Sequence, residues 1–188
     1  MSRLAAHERL ARDARAGFFS YETIQFDARL QVSEGGRIAS FRRRQLIRFL
    51  EKKATVFIDR VWGDGVLFAS YESGPMHIID VIPARKGYAL LLGLPRPFRR
   101  GETFEIVTER KIVGAFMDQD AYWELSMSVP TALLSLRVSD RSARVMRAVH
   151  LSAAGPRGIK VRLQDRSVRL TVDSPALYVP YRLEWRRN

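Results

Sequence analysis

Hydrophobicity with a period of two runs through most of this chain. Trp123, Leu125, Met127 and Val129 alternate with Glu124, Ser126 and Ser128. Ile24, Phe26, Ala28, Leu30 and Val32 alternate with Gln25, Asp27, Arg29 and Gln31, and Ile159, Val161 and Leu163 with Lys160, Arg162 and Gln164. Val168, Leu170 and Val172 repeat the pattern. Successive side chains of a strand point to opposite faces, so each run is a strip with one apolar and one polar side. Many such strips must bury their apolar sides against one another, as two packed sheets or as a barrel.

The expected fold is therefore mainly β: an antiparallel β-sandwich, Ig-like or jelly-roll-like, of eight or more strands with one short N-terminal helix. That helix is read over residues 3–18, where Leu4, His7, Ala11, Ala14 and Phe18 fall three or four apart and Gly17 marks the end. The chain then divides into the helix at 1–19 and a β-sandwich domain at 20–188. Gly35-Gly36 supply the positive φ of a tight turn. Within 38–53, Phe41, Arg43, Gln45, Ile47 and Phe49 line one face of a strand, although Leu46 and Leu50 break the alternation and leave a helix open. Gly63-Asp64-Gly65 between the strand-like 54–62 and 66–71 predicts a hairpin. Most of the prolines lie between the apolar runs.

Zero cysteines exclude disulfides, thiolate zinc sites and cysteine nucleophiles. The first residues carry Glu8 and Asp13 among arginines, unlike a secretory signal, and the apolar stretch at 88–94 is far shorter than the roughly 20 residues of a membrane span. A cytoplasmic location and no membrane partner are expected. The net charge is +12, with 27 Arg and 5 Lys. Residues 137–188 hold 12 basic against 4 acidic side chains, and 102–136 hold 2 against 6. A basic end and an acidic patch follow.

Neither a His-Glu-x-x-His, a phosphate loop nor a nucleophile elbow occurs. His77 and Asp80 stand three apart, which on a strand sends them to opposite faces. Asp118, Asp120 and Glu124 read as a solvated turn rather than a calcium loop, since the full ligand set and the bend glycine are missing. No catalytic residue, metal or cofactor is assigned, and the chain is expected not to be an enzyme. The binding candidates are Arg137, Arg141, Arg144 and Arg147, the last three sharing a face if Asp140 opens a helical turn. Trp62 and Tyr71 flank the expected hairpin and would suit a protein or base contact. The run Arg42-Arg43-Arg44 splits between two faces if its segment is a strand, a poor way to track phosphates.

Two resemblances add to this reading. Arg137-Val138-Ser139-Asp140-Arg141 and His150-Leu151-Ser152-Ala153-Ala154-Gly155 resemble the two signatures of PilZ cyclic-di-GMP receptors, with histidine replacing the acidic or amide residue of the second. Residues 38–185 resemble a β-sandwich accessory domain of GC-rich bacteria, found behind helix-turn-helix or defence-associated modules. That likeness rests on Leu92-Gly93-Leu94-Pro95-Arg96-Pro97-Phe98-Arg99-Arg100-Gly101-Glu102, Val129-Pro130, Leu136-Arg137-Val138 and Pro180-Tyr181-Arg182-Leu183-Glu184-Trp185. It implies a non-catalytic accessory or sensing domain, and the expected function is a non-catalytic binding and regulatory module acting through protein–protein contacts or self-association. The alternative is a basic nucleic-acid- or nucleotide-binding domain, with a PilZ-like receptor third.

Overall fold

The computed structural model describes residues 20–84, 87–150, 159–164 and 166–187. The expected N-terminal helix at 1–19, and with it the division at residue 19, lies outside the described residues. So does the second PilZ-like signature beyond His150. The described chain is mainly β, with thirteen strands: β1 (Tyr21–Val32), β2 (Ile38–Phe49), β3 (Ala54–Trp62), β4 (Val66–Glu72), β5 (His77–Ala84), β6 (Gly87–Phe98), β7 (Thr103–Val113), β8 (Asp120–Ser126), β9 (Thr131–Asp140), β10 (Ala143–His150), β11 (Ile159–Gln164), β12 (Ser167–Asp173) and β13 (Pro180–Arg187). They form three open sheets: one of seven strands in the order β11-β12-β9-β1-β2-β7-β4, and two of three strands, β10-β13-β8 and β3-β6-β5. Among the described residues no helix is long and apolar enough to cross a membrane.

The segment that left strand and helix open is a strand, and burial alternates along it from Ala39 to Phe49. Eleven aligned pairs join it to β7, and that cross-strand ladder outweighs the local break at Leu46. Gly35 and Gly36 both take φ of 75° at the turn before it. The hairpin expected at Gly63-Asp64-Gly65 does not form. β3 pairs with β6, whereas β4 pairs with β7 in the other sheet, so these glycines carry the chain from one layer to the next. Gly65 needs its missing side chain there, because a Cβ would stand 2.3 Å from the Val113 carbonyl oxygen. The pairing is also not wholly antiparallel: β1 runs parallel to β9. These strands are far apart in sequence, so no tight turn dictates their direction.

Two hydrophobic clusters hold the sheets together. In the first, Phe26, Ala28, Leu30, Leu134, Leu136 and Leu170 of the long sheet meet Leu125, Tyr181, Leu183 and Trp185 of the β10-β13-β8 sheet. In the second, Ile47, Phe49 and Ile106 meet Phe57, Val61, Leu90 and Leu92 of the β3-β6-β5 sheet. Each fully buried Leu, Ile or Phe stabilises the fold by about 1.5–3 kcal/mol. On β2, Ala39 and Phe41 belong to the first cluster and Ile47 and Phe49 to the second. All four stand at odd positions of one regularly alternating strand, so both clusters lie on the same face of the long sheet. The two small sheets therefore sit side by side on it and leave a seam between them.

Candidate functional site

The seam falls where the inner face of the long sheet turns polar. Between the apolar residues of the two clusters, β2 presents Arg43 and Gln45, and β7 presents Thr108 and Arg110, with Arg43 opposite Thr108 and Phe41 opposite Arg110. A bulge between Thr23 and Gln25 turns Thr23 inward on β1, where its hydroxyl accepts a 2.8 Å hydrogen bond from Gln45. β3 adds Asp59 at the phase held by Phe57 and Val61. Three strands thus each carry one charge where alternation calls for an apolar side chain.

These charges meet. An Arg43 Nη donates to Asp59 at 2.6 Å, both side chains being almost wholly buried. The Tyr71 hydroxyl donates to the other Asp59 oxygen at 2.8 Å. Arg110 lies over the Phe41 ring at 4.4 Å and makes no ion pair with a described residue. Nε and one Nη of Arg43, Nε of Arg110 and the Thr108 hydroxyl are buried without a hydrogen-bond partner. Burial pulls the Arg43 pKa down, but the charge and hydrogen bond of Asp59 more than offset it, and the net direction is up. For Arg110 burial dominates: its pKa is pushed down to about 10, with Asp59 opposing and Arg43 reinforcing the shift. Burial first, and then the Asp59 charge, raise the Tyr71 pKa far above the usual phenol range. Arg110 therefore keeps its positive charge at neutral pH.

Above this floor lies a cavity of about 470 Å³, within the range of small-ligand sites. One wall is β3, including Phe57, Asp59 and Trp62; the other is β8 and the residues after it, from Trp123 to Val129. Among the described residues β3 pairs only with β6, and β8 only with β13, so each turns to the seam an edge without a ladder partner in the described chain. Such edges offer main-chain N–H and C=O groups to an extended chain.

Of the residues expected to bind, two reach this site. Trp62 is 46% exposed and lines the cavity, and Tyr71 is half-buried against Asp59. They come from strands of different sheets and do not form one exposed pair. The four arginines do not share a face. Arg141 lies in the β9–β10 turn, and Arg144 and Arg147 stand on strand β10, so the helical turn that would align them is absent. Arg147 is held by Glu184 at 2.6 Å. Arg137 joins an exposed row that the sequence does not display. Cross-strand register aligns Arg162, Arg169, Arg137, Arg29 and Arg42 over five adjacent strands of the long sheet. The acidic patch and basic end neutralise each other: Glu124 binds Arg182 at 2.7 Å and Asp120 binds Arg186 at 2.9 Å. Sequence reasoning missed Arg43, Asp59 and Arg110 as a group; their signal was a charge at an apolar phase in three separate strands.

No protein-family model and no curated protein matches this sequence. Solved structures do share its fold. A mutant M1 zinc metallopeptidase from Deinococcus radiodurans bound to a Tyr-Ser-Ala substrate is similar at a TM-score of 0.53 and 14% identity, over 87% of this chain and 42% of that one. Another structure of that metallopeptidase is similar at 0.52 and 13%, with the same coverage. Native yeast LTA4 hydrolase is similar at 0.50 and 12%, over 88% of this chain and 29% of its own. This chain therefore spans less than half the length of the proteins it resembles. These likenesses establish a common β fold, and they correct one expectation. The reading as a non-catalytic binding module is not supported, because the solved structures named above, which share this fold, are of peptidases and a hydrolase. Among the described residues no three His, Cys, Asp or Glu side chains converge. The cavity's carboxylates, Asp59 and Glu124, are already held by Arg43 with Tyr71 and by Arg182. The site offers cationic donors in place of metal ligands.

Proposed function

We propose that this chain is the peptide-holding β part of a peptidase-type protein, with a sandwich-like frame whose seam receives an extended substrate. One observation carries the reading: a cavity of about 470 Å³ lies between two strand edges that have no ladder partner among the described residues. An extended peptide adds main-chain hydrogen bonds to such edges and seats alternate side chains in pockets between them. The aromatic walls of Trp62, Phe57 and Trp123 suit those side chains. The tripeptide bound by the Deinococcus radiodurans metallopeptidase mutant supports peptides as the ligand class. Bond cleavage is assigned to a metal-bearing unit, because the donor set here does not fit zinc.

Isothermal titration with Tyr-Ser-Ala tests the proposal. Saturable one-to-one binding, weakened several-fold by Trp62→Ala with the fold unchanged, is the expected outcome. Absence of binding up to about 10 mM peptide, beyond the roughly 1 mM that corresponds to about −4.1 kcal/mol, defeats it.

A further inference from the structure

Among the described residues the cavity floor holds one positive charge more than it can pair. Arg43 and Arg110 are opposed there by the single carboxylate of Asp59, and both Asp59 oxygens already accept hydrogen bonds, one from Arg43 and one from Tyr71. Arg43 is 7% exposed and keeps two nitrogens without a partner. Arg110 has neither a hydrogen bond nor an ion pair with a described residue, and its Nε is buried and unsatisfied. The other charged groups lining the cavity do not settle the account: Glu124 is held by Arg182, and Arg60 is a further cation. Burying a guanidinium without an anion is costly. Phe41 holds Arg110 by its ring face, which fixes a planar donor without consuming its N–H groups.

We infer that Arg110, with the free nitrogens of Arg43, forms a carboxylate-binding site at the floor of the seam, and that its ligand is the C-terminal carboxylate of the peptide held between β3 and β8. The fork of a guanidinium matches the two oxygens of a carboxylate. A peptide ending at Arg110 leaves its remaining length against the two open strand edges. The inference rests on the peptide-holding reading for the identity of its ligand, while the anion site itself stands on the arginines alone.

The experiment compares Tyr-Ser-Ala, the same peptide with a C-terminal amide, and sodium acetate, each with the wild-type chain, Arg110→Gln and Arg110→Lys. The amide should bind at least about tenfold more weakly than the acid to the wild type. That preference should vanish in Arg110→Gln and survive in part in Arg110→Lys. Arg110 has no hydrogen bond or ion pair with a described residue to leave unpaired, so both variants should keep the wild-type circular dichroism spectrum. Equal binding of acid and amide to the wild type overturns the carboxylate site and leaves the peptide-holding reading intact. If neither peptide binds but acetate raises the Tm of the wild type and not of Arg110→Gln, the anion site stands and the peptide reading falls. If neither the peptides nor acetate discriminate between wild type and Arg110→Gln, the inference is wrong.

Discussion

Asp59 decides the local energetics. Among the described residues it is the only carboxylate among the buried charges of the seam floor, and it accepts from Arg43 and from Tyr71. Removing it strands the Arg43 guanidinium, so Asp59→Ala should destabilise the fold by about 3–5 kcal/mol. Replacing Arg43 as well, by methionine of similar length, removes the stranded charge, and the double variant should recover much of that loss. Chemical denaturation of the two single variants and the double variant checks this; additive losses would mean that the pair is not coupled. The same residues show how a site can be half legible in a sequence. Arg43, Asp59 and Arg110 each stand at a strand's inward phase, which is visible from alternation alone. Nothing in the sequence shows that the three inward positions converge, because that depends on a pairing of β2 with β7 and a packing of β3 over both.

At the scale of the element, the connections carry more information than the strands. The two glycines after β1 share φ of 75° but differ in surroundings. A Cβ at Gly35 would meet nothing within 4 Å, while one at Gly36 would stand 1.7 Å from the Phe116 carbonyl oxygen and 2.7 Å from an Arg187 nitrogen. Gly35→Ala should therefore cost about 1–2 kcal/mol from its left-handed backbone alone, and Gly36→Ala more than about 3 kcal/mol. Thermal denaturation of the two variants separates the effects, and equal losses would contradict the close approach. The region beside Gly36 is tightly organised. The Arg187 guanidinium binds Asp140 at 2.7 Å and also donates to the carbonyls of Phe116 and Asp118, tying β13 to the end of β9 and to the β7–β8 loop. The turn at Gly35-Gly36 was legible from its residue types. The crossing at Gly63-Asp64-Gly65 was not, since the same residues suit a hairpin or a change of sheet, and only the partners available to β3 and β4 distinguish them.

Across the whole molecule, charge is arranged by sheet register. Arg162, Arg169, Arg137, Arg29 and Arg42 form one row over the outer face of the long sheet. Asp27 and Glu109 are its nearby counter-charges, paired with Arg29, Arg169 and Arg42. Arg137 stands between two arginines with no ion pair to a described residue. Like charges directly opposite one another on a sheet destabilise it. Arg137→Glu should accordingly raise stability by about 0.5–1 kcal/mol at low ionic strength, a gain that added salt diminishes. Denaturation at two salt concentrations measures it, and a destabilised variant would show that the row is held by contacts other than its charges. Local alternation by itself determined that the chain is mainly β and which residues of its regular strips share a face, whereas the parting of Arg43 from Arg42 and Arg44 followed only once β2 was a strand paired with β7. The first two are properties of single strands, set by the opposite directions of successive side chains. Tertiary structure alone decided that two small sheets share one face of a long one, that their seam gathers Arg43, Asp59 and Arg110 beneath a cavity, and that five arginines from five strands line up. Pairing partner and register join residues distant in the chain, and each strand's pattern is compatible with many partners.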